Sequence, residues 1–114
     1  MKHYGDALLI TEDGTIITLD LPANRDHFAE YAAAVLRCGA IEPIELTTGV
    51  TLWIDEEGRN SWPYNRLVDS LVNLYGFTDS LHGPVLITGY GTHVEPLPTE
   101  TTSRILGELN DTSG

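Results

Sequence analysis

Glu56 and Glu57 are the only adjacent glutamates in this 114-residue chain. Paired carboxylates can divide general acid and base roles, or hold a cation. Neighbours on a strand project to opposite faces, so these two converge only if a turn folds them together. Asp55-Glu56-Glu57-Gly58-Arg59-Asn60 also lacks the alternating oxygen ligands of a calcium loop. The simpler reading is a solvated turn. His3, His27, His82 and His93 show no zinc spacing, and the single cysteine, Cys38, has no histidine at a recognisable distance. Cys38 reads as a small apolar residue at a helix end. Gly89-Tyr90-Gly91 lacks the third glycine and following helix of a nucleotide loop, and neither a nucleophile elbow nor a phosphate loop is present. The expectation is a non-enzymatic chain with no metal, no cofactor and no catalytic residue.

The stronger chemical signal is recognition. Trp53, Trp62 and Tyr64 flank the acidic turn, with Arg59, Asn60 and Asn65 interleaved. Aromatic residues and arginine concentrate at binding surfaces. Together with Glu56 and Glu57 they form the candidate partner- or ligand-binding set. Two structural readings stand beside it. Trp62 and Tyr64 would cover an open sheet face over Trp53, and Asn65 would cap a helix.

These residues are positioned by a stretch from Ile41 to Tyr75. Glu42–Thr47 and Val50–Asp55 read as a hairpin about Thr48-Gly49. In its second strand Val50, Leu52 and Ile54 share one face, which puts Thr51, Trp53 and Asp55 on the other. A helix follows from Pro63 or Asn65, with Leu67, Val68, Leu71, Leu74 and Tyr75 as its apolar stripe and Gly76 as its end. Upstream, Ala7–Ile10 is apolar on both faces, Asp13-Gly14 is a turn, and Thr15–Asp20 alternates as a strand. Asn24 caps a helix to about Arg37, closed by Gly39 as the left-handed residue. Downstream, Val85–Thr88 is again apolar on both faces. Pro96 and Pro98 bar residues 94–99 from a central strand. Ser103–Leu109 forms a short helix, and residues 110–114 fray.

The class is α+β, in ββαββαβ order, with a mixed sheet and one main helix packed on it. The order suits a β-grasp arrangement, with the first and last strands parallel at the centre; another four- or five-stranded α+β sandwich is the alternative. Residues 1–98 read as the core domain and 99–114 as a short helix and tail. A chain of this length buries roughly 65% of its unfolded surface, enough for one core.

Seventeen acidic residues face six basic ones, a net charge of −11. Such a chain repels nucleic acids and anionic membranes and attracts basic surfaces. The acidity serves either solubility or imitation of nucleic-acid charge. No apolar run approaches the ~20 residues of a membrane span. The run after the first lysine is too short for a signal peptide core, so a cytoplasmic setting is expected.

The motifs also carry a resemblance. Leu8-Leu9-Ile10 leading to Asp13-Gly14, Ile41-Glu42, Glu56-Glu57-Gly58-Arg59, Pro63-x-Asn65 and the strand Gly83–Gly89 occur in order. They resemble a family of small phage and bacterial-host proteins known as a domain of unknown function (3846), over roughly residues 6 to 90. The family pattern has asparagine where this chain has Asp55, and small residues at Val68 and Asp69. The resemblance implies a phage or mobile-element origin and a bacterial host cytoplasm, and it brings no activity. The leading expectation is an acidic accessory protein that binds a basic surface on a host protein, inhibiting it or mimicking nucleic-acid charge. The alternative is a small-molecule or nucleotide module using the Trp53/Trp62 face. A homodimer also remains open.

Overall fold

The computed structural model describes residues 5–113, with side chains as far as Asp111; His3 and Gly114 lie outside the described residues. It is α+β: a six-stranded open sheet with helices on both faces. The strands are β1 (Ala7–Ile10), β2 (Ile16–Leu19), β3 (Ile41–Thr47), β4 (Val50–Asp55), β5 (Val85–Tyr90) and β6 (Val94–Glu95). The sheet order is β2-β1-β5-β4-β3, with β6 added beside the end of β5. Every residue of β1, and all of β5 except Tyr90, is buried. Those two strands read as apolar on both faces, and they are indeed central neighbours.

Their direction differs from the expectation. β1 and β5 run antiparallel, as does every pair in the sheet, so it is neither mixed nor β-grasp in its central pairing. The reason lies in the connection from β4 to β5. The chain leaves β4 through α2 (Gly58–Ser61) and α3 (Arg66–Asn73), then returns to the same end of the sheet. The two limbs of this excursion are stitched at the neck. The Asn65 N–H donates to Leu81 O at 2.9 Å and the Gly83 N–H to Pro63 O at 2.9 Å, around a Tyr64–His82 bridge. A neck closed this way delivers β5 antiparallel to β4.

The faces are divided as the strand alternation dictates. Leu8, Ile10, Val50, Leu52, Val85 and Ile87 pack under α3 and α4 (Thr99–Ser113). Ala7, Leu9, Leu86 and Trp53 pack under α1 (Phe28–Leu36) through Phe28, Ala32 and Leu36. The sheet therefore carries helices on two sides where one main helix was expected. α4 is longer than the Ser103–Leu109 segment read from sequence, and its Ile105 and Leu109 are fully buried.

Two helix ends also shift. α1 closes on Arg37, left-handed at φ 55°, two residues before Gly39, and it is preceded by a 3-10 turn that Asn24 caps through the Asp26 N–H. α3 ends at Asn73, so Leu74 turns outward and is 57% exposed while Val72 takes the buried place. Among the described residues no helix is long and apolar enough to cross a membrane.

Candidate functional site

The end of β4 sets the geometry. Asp55 closes the strand and is only 7% exposed. Its Oδ1 accepts the Glu57 N–H at 2.8 Å, an Asx-type turn that reverses the chain, and its Oδ2 accepts the Trp62 indole N–H at 2.9 Å. One carboxylate thus fixes both the start and the far end of the Glu56–Trp62 loop. Gly58 is required in that loop: a Cβ there would lie 2.9 Å from His82 O. Gly83 (φ +82°) is equally constrained, since a Cβ would meet the Trp62 ring at 2.6 Å.

Trp62 is held on its other side by Arg37, whose guanidinium carbon lies 4.8 Å from the ring centroid. This is a cation–π stack between the left-handed close of α1 and the loop. Arg37 also reaches the part-buried Glu12 at 3.8 Å, a long contact made by a mostly exposed guanidinium, and it contributes little. Cys38 borders the same region. Its thiol donates to Ala40 O at 3.4 Å, and burial, then Asp55, pushes its pKa upward, which disfavours the reactive thiolate.

Two concavities meet Asp55 and Glu56. One, of about 430 Å³, is bounded by Arg37, Cys38, Glu57, Ser61 and Trp62. The other, of about 330 Å³, lies toward α3. Its floor is apolar, made by Ile44, Ile54, Val72, Phe77 and Leu81, and Glu42, Glu56, Asp79, Arg59 and His82 stand around it.

Half of the candidate set read from the sequence comes together, and the other half does not. Glu56, Glu57, Arg59 and Trp62 come together at these concavities. Asn60 is exposed on α2 and borders neither. Trp53 lies on the face predicted by alternation, but its cover is α1: Phe28 meets it edge-on at 4.9 Å, and its indole N–H donates to Thr88 Oγ1 at 2.9 Å. The linker does not lie over it. Trp62 turns instead to Asp55 and Arg37. Tyr64 is exposed at the neck against His82, and its hydroxyl donates to Asp69, the main cause of a raised phenol pKa.

Asn65 is fully buried and its side chain is wholly engaged. Oδ1 caps α3 through the Val68 N–H at 3.1 Å, while Nδ2 donates to Gly83 O at 2.8 Å and Ile10 O at 3.2 Å. The capping role was legible in the sequence; the two donations across 18 and 55 residues were not. Arg37, Glu42, Phe77 and Asp79 also escaped sequence reading, because they come from three separate segments, the close of α1, β3 and the loop after α3, with no shared periodicity. Asp55 had one local signal: an acidic residue before Glu-Glu-Gly is typical turn chemistry. Among the described residues no group of three or more histidines, cysteines or carboxylates is placed to hold a metal ion.

A family model described as a domain of unknown function (DUF3846) matches residues 6–110. No curated protein and no solved structure matches the chain.

Proposed function

The chain belongs to the DUF3846 family, and on that footing we propose that it is a non-enzymatic acidic accessory protein that binds a partner protein through the Asp55–Trp62 corner. The partner presents a basic surface. The carrying observation is the state of the carboxylates at this corner. The side chains of Glu42, Glu56, Glu57 and Asp79 have no hydrogen-bond or ion-pair partner among the described residues; Glu56 and Glu57 share one concavity with the half-buried indole of Trp62, and Glu42 and Asp79 share the adjoining one with Glu56. A rigid aromatic edge with unpaired charge around it supplies both an anchor and electrostatic steering. The fixed placement of Trp62 by Asp55 and Arg37 lowers the ordering cost of binding.

The setting that fits is a bacterial host cytoplasm, with the chain of phage type and its partner a host protein. Imitation of nucleic-acid charge is the form this binding takes if the partner's basic surface is itself a nucleic-acid site. The alternative of a ligand pocket between Trp53 and the linker lacks supporting geometry. α1 covers Trp53, and Asn65 has no free donor for a ligand.

The test is affinity capture from bacterial host lysate at ~0.05 M and ~0.5 M salt, with the wild-type chain and Glu57→Lys/Trp62→Ala. The expected result is a defined protein retained at low salt, released at high salt and lost with the double variant. Retention by the variant, or the absence of any salt-sensitive partner, overturns the reading.

A further inference from the structure

We infer that the concavity between β3, α3 and the 77–82 loop receives an arginine side chain together with an aliphatic neighbour, from an exposed segment of the partner protein. The inference rests on the partner-binding reading above and names the chemistry its groove takes.

Size comes first. A space of about 330 Å³ sits at the lower end of the range that holds small ligands, and it suits one or two side chains rather than a cofactor. The floor of Ile44, Ile54, Val72, Phe77 and Leu81 offers only apolar contact, with Val72 and Leu81 buried and the others partly so. Such a floor favours an aliphatic group and the methylene stem of a long side chain.

Charge then selects the head group. Glu42, Glu56 and Asp79 are exposed at the rim and unpaired among the described residues. They come from β3, the β4–α2 turn and the loop after α3, so they surround the opening from three elements. Arg59 is the one arginine at the groove, and three free carboxylates outweigh it. Asp55, the fourth carboxylate there, is occupied by the Glu57 N–H and Trp62. An anionic ligand would meet this rim at a loss, and a neutral one would leave it unused. A guanidinium fits best: it is weakly hydrated, stacks on an aromatic ring such as Phe77 and forms forked bonds to carboxylates. The edge position of β3 leaves the groove open on that side.

The probe is N-acetyl-leucyl-arginine amide, titrated into isotopically labelled protein and followed by amide chemical shifts. N-acetyl-leucyl-glutamate amide and N-acetyl-leucyl-glutamine amide serve as controls. The arginine peptide is expected to give saturable shifts at Ile44, Ile54, Phe77 and Leu81, and the glutamate peptide none there. Glu42→Gln/Asp79→Asn, at exposed positions that leave the core intact, is expected to weaken arginine-peptide binding roughly tenfold or more. Equal shifts from the glutamine peptide, shifts elsewhere only, or an unchanged affinity in the double variant would each overturn the assignment. The two readings fail separately. A partner captured as strongly by Glu42→Gln/Asp79→Asn as by the wild type refutes the groove assignment and leaves partner binding standing. Peptide binding without any captured partner does the reverse.

Discussion

At the scale of single residues, two buried polar side chains carry more of the architecture than their types announce. Asp55 spends both oxygens on the loop that carries Trp62, and Asn65 spends three hydrogen bonds on the neck that closes the α3 excursion. Asn65→Ala removes a cap worth ~1 kcal/mol and strands two carbonyls, each costing ~1–3 kcal/mol when buried without a partner. The expected loss in urea unfolding is therefore at least about 3 kcal/mol. Asn65→Asp separates the parts, because a carboxylate accepts from the Val68 N–H but cannot donate to Ile10 O or Gly83 O. It should be destabilising despite a preserved cap. An Asp variant as stable as the wild type would show that the donations contribute nothing.

At the scale of elements, the C-terminal helix joins the face that α3 alone would leave incompletely covered. Tyr75 of the α3 end donates to Glu108 of α4 at 2.6 Å, and Ile105 and Leu109 enter the same cluster as Leu8, Leu52 and Ile87. Ile105→Ala should cost ~2–5 kcal/mol, the range for a fully buried aliphatic truncation. Gly107 on the same helix is exposed, and nothing lies within 4 Å of where a Cβ would stand. Gly107→Ala should therefore stabilise the helix by up to ~1 kcal/mol. Opposite shifts in thermal midpoint from positions two residues apart would confirm that α4 is packed on one side only. A neutral Ile105→Ala would place α4 outside the cooperative core.

At the scale of the molecule, a charge of −11 is confined to a body of 34 × 31 × 23 Å. Those dimensions are only a few times the screening length of ~10 Å at 0.1 M salt, so the carboxylates repel one another across much of the surface. The single ion pair among the described residues, Arg37–Glu12, does little to offset this. Stability should rise between ~0.01 M and ~0.3 M sodium chloride, read as an upward shift of the urea midpoint. The same salt should weaken partner binding. A midpoint that falls with salt would mean that attractive pairs outweigh the repulsion.

The sequence by itself determined the elements and their faces. Binary patterns of period two and 3.6 placed the five principal strands and α1, α3 and α4, and alternation put Trp53 opposite Leu52 before any contact was known. Runs apolar on both faces marked β1 and β5 as central neighbours. These features are local, set by each residue's neighbours along the chain. Only the tertiary structure decided strand direction, what covers Trp53, and which residues meet at the candidate site. The β4–β5 direction depends on the Asn65 neck, which joins Ile10, residues 63–65 and residues 81–83. The groove draws Glu42, Glu56, Phe77 and Asp79 from three segments with no common period. The physical reason is the same in each case. Local patterns report which side of an element is apolar, whereas the partner of that side is chosen by closure of the whole chain.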